Sequence, residues 1–145
     1  MTAIGATANG SFTGTDIGNY ALEAWATNAV GLTGHSPTVN VSVKYAISWL
    51  PPLSLGRTIN GAVAVKFAAR DCNDAFVTDT RVRVEVWEGS NLRFSAVFGD
   101  GSDAVRIEEG THYIANFHPP SGNHTYVLKV FFNDLLQAST GFSTR

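Results

Sequence analysis

The sequence predicts an all-β fold: an antiparallel immunoglobulin-like β-sandwich, with extra N-terminal strands from a partial preceding immunoglobulin-like module. Three observations carry that prediction. Short runs alternate apolar and polar residues with the two-residue period of a half-buried strand. Clusters of Gly, Pro, Asn, Asp and Ser break those runs at regular intervals, as turns do in all-β domains. No segment sustains an apolar stripe at helical spacing. Composition agrees, since 44% of the 145 residues are apolar and 15% are charged, enough for a core and too apolar for disorder.

The strands follow in order along the chain. "YALEAWATN" sets Tyr20, Leu22, Ala24 and Ala26 against Ala21, Glu23, Trp25 and Thr27. "TVNVSVKY" sets Val39, Val41, Val43 and Tyr45 against Asn40, Ser42 and Lys44. "VAVKF" turns Val63, Val65 and Phe67 inward, which sends Lys66 outward. "RVRVEVW" turns Val82, Val84 and Val86 inward and leaves Arg81, Arg83, Glu85 and Trp87 on the opposite face. "LRFSAVF", "HYIANF", "YVLKVFF" and "ASTGFSTR" complete the set.

Organisation is legible in an internal echo. Gly18 to Tyr45 and Gly122 to Arg145 each carry Gly-Asn, an aromatic near the strand start, an apolar alternation, an Asn, a turn and a final strand. In an immunoglobulin-like sandwich that is the plan of the last hairpin. Two last hairpins predict two modules, the first incomplete. We divide the chain into residues 1–46 (closing strands of an immunoglobulin-like repeat), 47–57 (a Pro-rich linker) and 58–145 (a β-sandwich domain). The double proline of "WLPPLSLG" marks the linker, because proline cannot continue a central strand. Unpaired apolar strands invite added strands, so residues 1–46 are expected to dock on the second module or to exchange with a neighbouring chain as a homo-oligomer.

Charge and cysteine content narrow the function classes. A net charge of −2 with scattered Lys and Arg gives no reason to expect nucleic acid. No run is long enough to insert in a membrane. The single Cys72 excludes an internal disulfide and a multi-cysteine metal site. "MTAIGATANG" lacks a basic stretch followed by an apolar one, so it does not read as a signal peptide, and Met1 reads as the start of an excised fragment.

"VKYAISWLPPLSLGRTINGAVAVKFAARDCNDAFVTDTRVRVEV" resembles the start of the small bacterial extracellular modules named for a Pro-x-Lys-Phe signature. Tyr45, Ser48, Trp49 and Pro51 match their linker, and Val65, Lys66 and Phe67 match the signature strand. Asp71 matches the turn, and Val77 and Val82 the next strand. "THYIANFHPPSGNHTYVLKVFF", with Tyr126, is similar to the family's ending. Ala64 stands where the signature has proline, and Asp74 where the turn has glycine. "TGTDIGNYALEAWATNAVGLTGHSPTVNVSV" resembles the close of a bacterial immunoglobulin-like repeat. The resemblance implies a tandem array in a secreted or surface-attached protein. There such modules serve as non-catalytic spacers or accessory domains, with neighbouring domains of the parent polypeptide as partners.

Candidate chemistry is sparse, and an enzyme is not expected. No Gly-x-Ser-x-Gly elbow and no glycosidase-like carboxylate pair occurs. Asp71, Asn73 and Asp74 share a turn whose oxygens suit calcium, yet Asp and Asn are also ordinary turn residues, and the plain turn without cofactor is preferred. His112, His118 and His124 are expected to scatter rather than converge on zinc. Lys66 buried near Asn116 or Asn133, with Glu85 as the acid, would suit an isopeptide cross-link; the alternation instead places it outward, facing residues such as Arg83 and Glu85. Trp25, Trp49 and Trp87 are the candidate ligand-binding residues for a polysaccharide, since exposed planar aromatics are what a sugar-binding sheet face needs. The sequons at Asn9, Asn40 and Asn123 are assigned no role.

Overall fold

A computed structural model describes residue 11 and residues 16–145. Asn9 and most of the stretch before Asp16 lie outside the described residues. Eight strands build a β-sandwich of two four-stranded sheets. The first sheet has the order β5 (Ala46–Trp49), β6 (Val63–Arg70), β10 (His112–Phe117), β9 (Arg106–Glu108). The second has the order β12 (Leu135–Thr144), β11 (His124–Phe132), β7 (Val82–Glu88), β8 (Asn91–Val97). Every ladder in both sheets is antiparallel. The protein is an all-β, immunoglobulin-like sandwich.

Alternation builds the core as the sequence reading expects. Val63, Val65 and Phe67 of β6 face Val82, Val84 and Val86 of β7, all at 2% exposure or less. Tyr113, Ala115 and Phe117 enter from β10, and Tyr126, Leu128, Val130 and Phe132 from β11. Aromatic rings stitch the sheets together. Phe67 stacks on Tyr113 with centroids 5.2 Å apart, and Phe117 meets Tyr126 edge-on at 5.1 Å. Burying one such side chain contributes about 1.5–3 kcal/mol, so this cluster is the main source of stability.

Turn chemistry sets the registers. Asn133 and Asp134 both adopt positive φ (48° and 57°), the conformation a two-residue hairpin turn needs between β11 and β12. Glu109 and Gly110 do the same between β9 and β10 (54° and 67°). The strand Arg106–Glu108 has no clear signature in the sequence, being three residues long and half-buried throughout.

The segment assigned to a linker at 47–57 behaves differently from that expectation. Its first residues belong to β5, where Ile47, Ser48 and Trp49 pair with Ala69, Ala68 and Phe67. The chain then turns through Pro51 and Pro52 and a short 3-10 turn, Leu53–Leu55, that plugs Leu53 into the core. Ile59 emerges beside the other sheet, where its N–H donates to the Ser143 carbonyl at 2.9 Å and its carbonyl accepts from the Arg145 N–H. The stretch is therefore a corner at which the first strand changes sheets. Proline suits it, since neither ring nitrogen is asked to donate to a ladder.

The N-terminal strands form one long hairpin. β1 (Gly18–Leu22) pairs with β4 (Val39–Val43), and beyond a break β2 (Trp25–Thr27) pairs with β3 (Thr33–His35). The strands pair with each other and with neither sandwich sheet. Tyr20, Leu22, Val39, Val41 and Val43 share one face, while Asn19, Ala21, Asn40 and Ser42 share the other. Among the described residues no helix is long and apolar enough to cross a membrane.

Candidate functional site

An extended polar network of the described residues lies where the hairpin meets the sandwich. Ile17 drops into the sandwich core at 5% exposure and anchors the hairpin's base. Beside it Arg81, one residue before β7, lies between two carboxylates. Its Nη1 and Nη2 donate to Asp16 at 2.8 and 2.9 Å, a bidentate fork. Its Nε and Nη2 donate to Asp79 at 3.0 and 2.7 Å. Asp79 is 8% exposed and also accepts from the Arg81 N–H and, at 3.0 Å, from the Tyr45 hydroxyl. The Tyr113 hydroxyl completes the network, accepting from the Asp79 N–H at 2.7 Å and donating to the Val77 carbonyl at 2.8 Å.

Acidities follow from these contacts. The Arg81 hydrogen bonds hold the Asp16 carboxyl down to about 2, and they lower Asp79 as well. Burial, helped by Asp79, pushes the Tyr45 hydroxyl up to about 12, and burial does the same for Tyr113. All four groups thus hold a fixed charge state through the neutral range. The site is suited to setting an angle between two parts of a chain and has no group poised to move a proton. Sequence reasoning matched Tyr45 to a linker motif and missed Asp16, Asp79, Arg81 and Tyr113. The Asp-x-Arg spacing in "DTR" was the one local signal.

The three tryptophans do not share a surface. Trp25 is 66% exposed near the hairpin's far end, stacked on His35 at 5.0 Å. Trp49 turns inward from β5 and meets Phe67 edge-on at 6.2 Å, part of the core's margin. Trp87 lies on the outer face of the second sheet, as expected, its N–H donating to Glu85 at 2.8 Å and its ring capped by the Lys129 ammonium at 4.9 Å. Trp87 is flanked by Val127 and Leu92, which are 41% and 48% exposed. A platform of three tryptophans is excluded by topology, because β2, β5 and β7 belong to three different sheets.

Lys66 points outward, as its alternation predicts, but its partner is Glu108 rather than Glu85. Lys66 Nζ donates to Glu108 Oε2 at 3.1 Å, and the ammonium holds that carboxyl below its usual range. His112 Nε2 lies 3.1 Å from the same oxygen. Glu85 and Arg83 sit on the outer face of the opposite sheet, so they cannot face Lys66. The next strand in sequence, β7, crosses to the other sheet, so neighbours in sequence are not neighbours in the sheet. Phe67 and Tyr126, the other signature residues, are fully buried.

In the Asp71–Ala75 turn, Asp71 Oδ1 accepts from the N–H groups of Asn73 and Ala75 at 2.8 and 2.9 Å. Asp74 adopts φ +64° and its carbonyl accepts from Arg70 at 2.7 Å. Asn73 enters through its N–H, and these bonds account for the turn by themselves. The histidines each meet a separate carboxylate: His112 with Glu108, His118 with Asp103 at 3.5 Å, and His124 with Glu88 at 2.7 Å. Among the described residues no group of three His, Cys, Asp or Glu side chains converges as metal ligands would.

No protein-family model matches the chain, and no curated protein matches it. Among solved structures the chain is similar to the fibronectin(III)-like modules of CbhA from Clostridium thermocellum. The identity is 20% and the TM-score 0.39, over 92% of this chain and 64% of that one.

Proposed function

We propose that this chain is a non-catalytic spacer from a larger secreted or surface-attached bacterial protein. In this reading residues 1–46 close an immunoglobulin-like repeat and residues 58–145 form a sandwich of the Pro-x-Lys-Phe type, with neighbouring domains of the parent polypeptide as partners. The observation that carries it is the Asp16–Arg81–Asp79–Tyr45 network. A tether between independent units has no use for a bidentate guanidinium and a buried carboxylate, whereas a stalk that must hold its direction does. Asp74 adds support for the family type: it takes the left-handed conformation at the position where the resembled turn carries glycine.

The test is a distance distribution between spin labels at Thr27 on the hairpin and Ser95 on the sandwich, in a Cys72→Ser background. A single narrow distribution is expected, broadening on Arg81→Ala. A broad distribution in the parent protein would refute the spacer reading. Light scattering at several concentrations complements it: a monomer is expected, and a stable dimer would favour strand exchange through residues 1–46. A second reading, binding of a polysaccharide on the outer sheet face, is favoured by Trp87 with Val127 and Leu92 beside it. It predicts quenching of Trp87 fluorescence by soluble glycans.

A further inference from the structure

The corner at which the first strand changes sheets leaves a recess of about 240 Å³ against the end of the β11–β12 ladder. Gly56, at φ +62°, ends the 3-10 turn, and Arg57 and Thr58 follow it into the lining. Ile59, Thr125, Phe142 and Ser143 complete the lining, Phe142 being almost wholly buried. Three features of this lining bear on what it would hold. Arg57 makes no hydrogen bond or ion pair among the described residues, whereas Arg70, Arg81, Arg83 and Arg93 are each matched to a carboxylate. Among the described residues no Asp or Glu lines the recess to neutralise it. The Thr125 and Ser143 hydroxyls meet only at 3.4 Å, a weak contact that leaves bonding capacity for a guest.

A guanidinium presents a planar fork that matches a carboxylate or sulfate in a bidentate way, and charge-assisted bonds of this kind are about twice as strong as neutral ones. Size narrows the guest further. Pockets for drug-sized ligands run to about 300–1,000 Å³, so this one suits a single small ring rather than a chain segment. It exceeds several-fold the roughly 30 Å³ share of one water. A lining that carries the hydroxyls of Thr58, Thr125 and Ser143 together with apolar Ile59 and Leu53 suits a pyranose, whose rim is polar and whose C–H face is not.

We propose that this recess binds one carboxylate-bearing sugar residue, a hexuronate. Arg57 takes the carboxylate, and Thr58, Thr125 and Ser143 take ring hydroxyls. The site lies at the corner of the sandwich, at the opposite end of β11 from the hairpin joint, and does not depend on the spacer reading.

The test is an NMR titration of the full ¹⁵N-labelled chain with sodium glucuronate, with glucose and sodium sulfate as separate arms. Saturable shifts are expected at Thr58, Ser143 and the Arg57 Nε–H, with glucose and sulfate each at least tenfold weaker. Arg57→Gln, an exposed change that leaves the fold intact by its amide spectrum, is expected to weaken glucuronate at least tenfold. Ser143→Ala is expected to weaken it by a smaller factor. Glucose as tight as glucuronate, an unchanged Arg57→Gln affinity, or shifts confined to another face would each overturn the proposal. Sulfate as tight as glucuronate would also overturn it, by showing a bare oxyanion site with no sugar recognition.

Discussion

Replacing Asp79 by alanine tests the joint at its most buried member. The carboxylate is 8% exposed and accepts four hydrogen bonds: from the Arg81 Nε, Nη2 and N–H and from the Tyr45 hydroxyl. Hydrogen bonds to charged groups are worth about 1.5–3 kcal/mol each, but removal is not additive over one network. Arg81 is 42% exposed and retains Asp16, so its share is screened by water and discounted. What remains is the lost partner of the half-buried Tyr45 hydroxyl and of the Arg81 N–H, a total of about 2–3 kcal/mol. For a chain of this size each kcal/mol moves Tm by about 3–4 °C, so Asp79→Ala is expected to lower it by about 6–12 °C. Urea unfolding at pH 7 measures the free energy, and the Tyr45→Phe and double variants measure the coupling. The sign with pH follows from the lowered acidity. Asp79 adds stability above its unfolded value near 3.9 and loses it as pH falls through the lower folded value. The gap between parent and variant is therefore expected to close below about pH 4. A loss under about 0.5 kcal/mol at pH 7, or a gap that persists at acid pH, would refute the network's role.

Three further outcomes are expected. Phe67→Ala removes a fully buried ring stacked on Tyr113 and touching Trp49, and should cost about 3–5 kcal/mol by urea unfolding. Glu88 holds the His124 imidazole above its usual value, so the His124 NMR titration midpoint should fall in Glu88→Gln. Stability from that pair is complete below the unfolded histidine value and fades as pH rises through the folded one, which pH-dependent unfolding of the two proteins checks. Lys66 is half-exposed and paired with Glu108, so Lys66→Ala should cost no more than about 1 kcal/mol. The intact mass should show no loss of about 17 Da, because no cross-link forms at that lysine.

The residues that made the fold legible are those whose environment repeats with the strand period. Val63, Val65 and Phe67, or Val82, Val84 and Val86, declare an inner face through nearest neighbours alone, and the structure buries all six. The turns at Asp71 and Asn133 were equally local, since their side chains or their backbone preferences act within a few residues. Arg106–Glu108 escaped notice because three half-buried residues carry too little alternation to stand out.

What sequence alone determined is the all-β class, the inward set of each long strand and the outward direction of Lys66. These depend on a period of two and on no distant contact. Which sheet each strand joins was decided only by the tertiary fold, and with it every long-range polar pairing. Glu108 reaches Lys66 across 42 positions, Asp16 reaches Arg81 across 65, and Ile59 comes to rest beside Ser143 at the far end of the chain. Alternation is blind to such partners because it records whether a side chain faces the core. The Arg57 recess exists only because the chain after β5 turns a corner to reach the other sheet, with Leu53 packed into the core there, and the hairpin joint forms where Ile17 enters the same core.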